Sequence, residues 1–413
     1  MSHPAVEIED RRGATLTIPN RVSARDLGGR VLITDGNERA ALAVVRSLGR
    51  AGWQCEVCSE RRGSLAGASR WASAEHVLPD PKRHPDDFVD AVVQVSSARR
   101  PTLVLPISEP SLLALLGHRD RVDAILPFPD LDTFRAICDK SLVLRRATDL
   151  GIRIPRQHSI GARQESLPDG LSFPMVLKPH RSIVSLDRGE RAKANVRWVR
   201  SASELRRALS DYPEGAFPIL AQEVISGPGV GVFLLMHDGH ALVSFGHRRI
   251  REKPPSGGVS VVRRSETVDP QLLDRSVALL NSFGWAGVAM VEYKLDERSG
   301  DYVLMEVNGR FWGSLQLAID AGVDFPRLLV DAALNRPVVP ASYRTVYSRW
   351  LWGEIDHVIA VLRDPAFSAR DRVKAVFGLI RGFGPGYREE VFRWYDPKPF
   401  LIETMTWFRQ LAS

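Results

Sequence analysis

Cysteine and lysine are both scarce in this sequence. With 3 cysteines in 413 residues, a scaffold built on disulfides is excluded and a reducing compartment, the cytoplasm, is expected. No apolar run approaches the ~18 residues that a membrane-spanning helix needs. The opening MSHPAVEIEDRRG has acids where an export signal has basic and then apolar residues, so no signal segment is read. There is no GxxxxGKS/T, which excludes a P-loop, and no internal repeat. No block of like charges and no zinc-finger or RRM-like pattern occurs, so no nucleic-acid partner is expected. Only 8 of the 56 cationic side chains are lysine, leaving 48 arginines and a net charge of +7. Arginine suits planar carboxylate and phosphate groups, so anionic small molecules fit this excess. Hydrophobic residues at 44% and charged residues at 25% are ordinary for a globular chain of two to four domains.

The order of segments suggests the organisation. Residues 1–28 read as a polar tail or an early edge strand. The run Arg30-Val-Leu-Ile-Thr34 is followed by Asp35-Gly36, helical spacing from Ala40 to Leu48, and a second short strand at Cys55–Cys58. Strand, glycine turn, helix, strand opens a doubly wound α/β unit, expected over 29–128. Thr102–Ile107 is its third strand; the Ser108-Glu109 that ends it reads as a cap for the next helix, with an acceptor-substrate contact as the alternative. Cys55 and Cys58 have CxxC spacing, but three residues apart on a strand face opposite ways, so they are core thiols. Residues 129–336 alternate helices with mostly antiparallel strands, an α+β unit. Residues 337–413 are richer in aromatics and read as a mainly helical extension, whose Trp350, Trp352, Trp394 and Trp407 read as packing onto the α+β unit, with a membrane surface or a partner face as the alternative.

The segment Val288–Phe311 is the most informative. A hairpin centred near Ser299 sets Val291 opposite Val307, Tyr293 opposite Met305 and Leu295 opposite Val303, an apolar face. The other face then brings Glu292 opposite Glu306, with Asn308 two residues further on the same side. Two carboxylates this close repel unless a cation or a proton lies between them. Two carboxylates and an amide oxygen suit a hard cation such as Mg²⁺. Arg310 follows directly, a fixed positive charge able to steady a developing anion. Lys178 lies inside the apolar run Pro174–Pro179, where a lysine either snorkels outward or meets an anion, and Lys140 opens a helix after Asp139.

In this order and spacing the segments resemble the ATP-grasp superfamily, over roughly residues 30–335, and within it the carboxylate–amine and carbamoyl phosphate synthetase-like ligases. The resemblance implies a Rossmann-like unit, an ATP-grasp nucleotide domain with antiparallel sheets, and ATP with Mg²⁺ (or Mn²⁺) as cofactors. It implies that Lys140 and Lys178 contact the phosphates and that Gln222, Glu223, Val224 and Ile225 hold adenine. Glu292, Glu306 and Asn308 would hold two metal ions, and Arg310 would be catalytic. The basic stretch His247–Gly258, with Arg248 and Arg251, resembles a lid over the phosphates. Val230 and Gly231 stand where the superfamily often has a polar ribose contact, a departure that leaves that contact unassigned. The reaction so implied is ligation of a small-molecule carboxylate to an amine through an acyl phosphate. The alternatives are a bicarbonate-phosphorylating enzyme like carbamoyl phosphate synthetase, and a non-catalytic ATP-binding regulator docked by its C-terminal segment. A homodimer is the default expectation.

Overall fold

A computed structural model of the chain describes residues 6–9, 15–18, 29–186, 190–339 and 342–412. Most of the tail expected over 1–28 therefore lies outside the described residues; within it, Val6–Glu9 and Thr15–Ile18 pair antiparallel.

The first unit is a parallel sheet of four strands, in the order Ala72–Val77, Gln54–Ser59, Arg30–Ile33, Leu103–Leu105. Two of its strands, Arg30–Ile33 and Leu103–Leu105, are apolar runs, as expected where both faces are covered. Val31, Ile33, Cys55 and Val57 enter one core with the helix Arg39–Arg50. Leu32, Cys58 and Val104 enter another with Phe88, Val92 and Leu115. The two cysteines thus point into different cores, and burial alone pushes the Cys55 thiol up to about 12.

Helix Arg39–Arg50 is buried almost all round, as its AALAVV core dictates. It lies between the parallel sheet and the helices Leu315–Ala321 and Phe325–Ala333, so one continuous core runs from Val31 to Val391. The helix also buries Arg46, whose Nε donates to Asp396 at 2.8 Å, tying the first unit to the last segment of the chain.

Two sheets follow, antiparallel except for the last strand pair of the larger. The smaller has four strands, in the order Arg197–Val199, Met175–Pro179, Ile219–Glu223, Gln157–Ile160, backed by helix Ala202–Ser210. The larger has seven, beginning Tyr302–Asn308, Gly287–Leu295, Gly229–His237, His240–Lys253, Val259–Ser265 and ending with Tyr347–Arg349 and Tyr387–Glu389. Residues 337–413 carry the helices Leu351–Arg363, Ala369–Arg381 and Lys398–Ala412, and in addition the last two strands, which lengthen the central sheet. Each strand is only three residues long, too short to leave a periodic signal. Among the described residues no helix is long and apolar enough to cross a membrane.

Candidate active site

The large sheet places the acidic pair by register. Gly231 on the central strand faces Glu292, and Glu292 faces Glu306. Side chains alternate along a strand, so both carboxylates rise from one face, together with Lys294 and Asn308. The expected register holds from Asn308 to Glu306 and then slips. Tyr293 faces Leu304 rather than Met305, and Leu295 faces Tyr302 rather than Val303. Met305 is the extra residue of a bulge, which re-aims side chains locally. It lies beside Lys178, whose Nζ is 4.0 Å from its sulfur, and packs with Ile225 and Val303 in a small apolar cluster.

Cations surround the carboxylates. Lys140 Nζ is 3.5 Å from Glu306 and donates to Ser182 Oγ at 2.8 Å. Asn308 Nδ2 donates to Glu306 at 3.1 Å, and its Oδ1 accepts from Arg310 at 3.2 Å. Burial acts to raise the Glu306 carboxyl, but Lys140 and Lys178 overcome it and hold the group at about 2. Burial pushes Lys178 the opposite way, below the usual lysine range, with Glu306 pulling it back. Glu292 is raised by burial; its counter-charge is Arg249, whose Nη2 donates to it at 2.5 Å while Nη1 donates to Glu252 at 2.8 Å.

Within the basic stretch His247–Gly258 it is Arg249, rather than Arg248 or Arg251, that meets these carboxylates. Arg248, one residue earlier, points to the other face and pairs with Glu266 at 2.8 Å. Arg251 pairs with buried Glu354 under helix Ala369–Arg381. The stretch read as a lid loop is largely strand, His240–Lys253, with irregularities between Arg249 and Glu252 that set which arginine faces the carboxylates. Strand phase around a bulge is not readable from basic composition.

Glu109 begins helix Glu109–Leu116, as the capping reading required, with Ser108 as the cap. Its side chain nevertheless enters the same cavity as Cys138, Lys140, Ser182, Glu306, Asn308 and Arg310. The cavity is about 10 Å³, room for one water. Burial pushes the Glu109 carboxyl up while Arg310 and Lys140 pull it down. The signal was available: an acid at the carboxyl end of a parallel strand lies where α/β sheets take ligands.

The segment expected to hold adenine is partly engaged elsewhere. Gln222 is buried and donates to Gln157 at 2.8 Å. Glu223 accepts from both the backbone and the guanidinium of Arg156, at 2.8 and 2.9 Å. The Ile225 carbonyl accepts from Lys294 at 3.2 Å. Val224 leads the chain out of the strand Ile219–Glu223. Two glycines are structural. Gly227 has a φ of +134°, and an added Cβ would meet the Leu295 carbonyl oxygen at 1.9 Å. At Gly309, between Asn308 and Arg310, a Cβ would strike the Trp285 ring at 2.3 Å.

This arrangement, a small and a large antiparallel sheet with basic and acidic side chains converging between them, has known counterparts. Residues 217–350 match the family described as "ATP-grasp in the biosynthetic pathway with Ter operon". A D-aspartate ligase of Enterococcus faecium (strain Aus0004) is 23% identical over 238 residues, 54% of this chain and 56% of that protein. The chain thus spans about half the length of the curated relative it matches. Among solved structures, an L-amino acid ligase from Bacillus licheniformis aligns with a TM-score of 0.59 at 19% identity, covering 77% of this chain and 79% of that one. An N5-carboxyaminoimidazole ribonucleotide synthetase in its ADP complex aligns with a TM-score of 0.62 at 13% identity, covering 86% and 96%. These likenesses show that the chain has an ATP-grasp-like fold.

Proposed function

We propose that this chain is an ATP-dependent ligase that joins a small-molecule carboxylate to an amine through an acyl phosphate. One observation carries the reading: Glu292, Glu306 and Asn308 rise from one sheet face amid Lys140, Lys178, Arg249 and Arg310. We read 29–128 as a Rossmann-like unit, 129–336 as the ATP-grasp domain and 337–413 as an extension.

The donor set fits Mg²⁺. It is all oxygen, two carboxylates and an amide, and hard cations that keep waters and bridge to phosphates favour such donors. When bound, Mg²⁺ would offset phosphate charge. The chain's own residues account for the rest. Lys140 and Lys178 supply positive charge for the β- and γ-phosphates. Ile225 and Met305, beside Lys294 and Lys178, are the apolar side chains on the side we assign to the base. A substrate carboxylate oxygen attacks the γ-phosphorus and ADP leaves with the bridging oxygen. The amine nitrogen then attacks the acyl carbon and expels phosphate, losing a proton as the C–N bond forms. Arg310 steadies the charge that develops on the transferred phosphoryl group or on the acyl oxygen. Glu109, at the first unit's edge of the cavity, is suited to hold the amine substrate's ammonium.

The test begins with ADP and ATP affinity by calorimetry, with Mg²⁺ present. ³¹P detection of ADP and phosphate across pooled acids and amines follows. Arg310→Met is expected to keep ADP affinity and lose about 10²–10³ in rate. Absence of nucleotide binding would overturn the reading.

A further inference from the structure

Helix Ala369–Arg381 packs the wrong way round for a water-facing helix. Its buried residues are the small ones, Ala375 and Gly378, the latter lying over the Arg251 guanidinium. Its bulky apolar residues face out: Val373, Phe377 and Ile380 are 68%, 64% and 62% exposed, and Phe383 just beyond the helix is 70% exposed. The spacing of three and four residues gathers them into one stripe. Arg370, Lys374 and Arg381, all exposed, fall at matching intervals beside Phe377. The helix has one acid, Asp371, and its carboxylate is occupied by the backbone and hydroxyl of Ser368 in a capping box. The outward face is thus apolar and cationic, with no carboxylate among its exposed side chains.

We propose that this helix seats the protein on an anionic lipid surface, lying in the plane of the headgroups with Phe377, Ile380 and Phe383 inserted. An apolar stripe flanked by lysine and arginine complements such a surface in both shape and charge. A second copy fits less well. A two-fold contact sets the same patch against itself, bringing Arg370, Lys374 and Arg381 of one copy toward those of the other with no acid between them.

The test is flotation of the full chain with phosphatidylcholine vesicles, with and without about 30% phosphatidylserine. The expected result is flotation only with the anionic vesicles, released by about 0.5 M salt. The triple variant R370Q/K374Q/R381Q is expected to lower partitioning about 100-fold, roughly fivefold per charge. F377S/I380S is expected to abolish it with an unchanged melting temperature, since both side chains are solvent-facing. No flotation of the wild type, or equal flotation with both vesicle types, overturns the proposal. So does a concentration-dependent dimer that F377S/I380S dissolves without any lipid effect. Should a variant fail to fold, the wild-type comparison of the two vesicle compositions still decides.

Discussion

Replacing Arg249 with methionine tests the charge arrangement at the centre of the large sheet. The guanidinium is 12% exposed and touches Glu292, itself 15% exposed, at 2.5 Å. It also reaches Glu252 at 2.8 Å and the Gly258 carbonyl at 3.1 Å. Methionine keeps most of the stem volume but strands Glu292 opposite Glu306. Removing one partner of a buried ion pair typically costs about 3–5 kcal/mol, because the other charge stays buried without compensation. With an unfolding entropy of ~2.1 cal/mol/K per residue, a chain of this length loses about 3–6 °C in melting temperature. A divalent cation can take the missing positive charge, so millimolar Mg²⁺ should raise the melting point of R249M more than that of the wild type. Scanning calorimetry with EDTA and with Mg²⁺ reads both effects. If R249M melts with the wild type in EDTA, or if Mg²⁺ shifts both proteins equally, then Arg249 is not the counter-ion that stands in for a metal.

Three further outcomes follow from other sites. Burial, with Glu389 nearby, pushes the Glu403 carboxyl up to about 7, although Trp350 donates to it at 2.8 Å. Its folded form therefore holds a proton that the unfolded chain releases at lower pH. Stability from this group is full below the ordinary carboxylate range and falls as pH rises toward 7. Glu403→Gln should accordingly stabilise at pH 8, by at most about 3 kcal/mol, and change little near pH 4.5; equal effects at both pH values would contradict this. Gly227→Ala should cost about 2 kcal/mol or more by urea unfolding, because it meets both a positive φ and a carbonyl oxygen; a neutral result would mean the loop relaxes freely. Cys55 and Cys58 should react with a thiol reagent only as fast as the first unit opens, and prompt labelling of either would contradict their burial.

How legible the site was depended on strand phase. Glu292 and Glu306 could be paired because an apolar face alternates with them on both sides of a short turn, and that alternation survives up to the bulge at Met305. Arg249 could not be separated from Arg248 and Arg251, since three arginines in four positions leave no apolar marker of which face is inward. Glu109 was hidden by a true cap: Ser108 does bond Ser111, and the acid beside it reaches across to a different unit. Three strands of the parallel sheet were legible as short apolar or β-branched runs, whereas its edge strand Ala72–Val77, with the sequence ASAEHV, has no such run. The edge strands Tyr347–Arg349 and Tyr387–Glu389 were not, because their partners lie far away in sequence and only pairing defines them.

The Arg46–Asp396 contact bears on synthesis. The two residues are 350 positions apart, so a ribosome adding ~5–20 residues per second emits the arginine roughly 20–70 s before its aspartate. Until Val323 and Phe325 are made, the helix Arg39–Arg50 has its parallel sheet on one side and nothing on the surface that later meets them. The nascent N-terminal unit is then a natural client for chaperones, and it completes its packing only once Asp396 has been made.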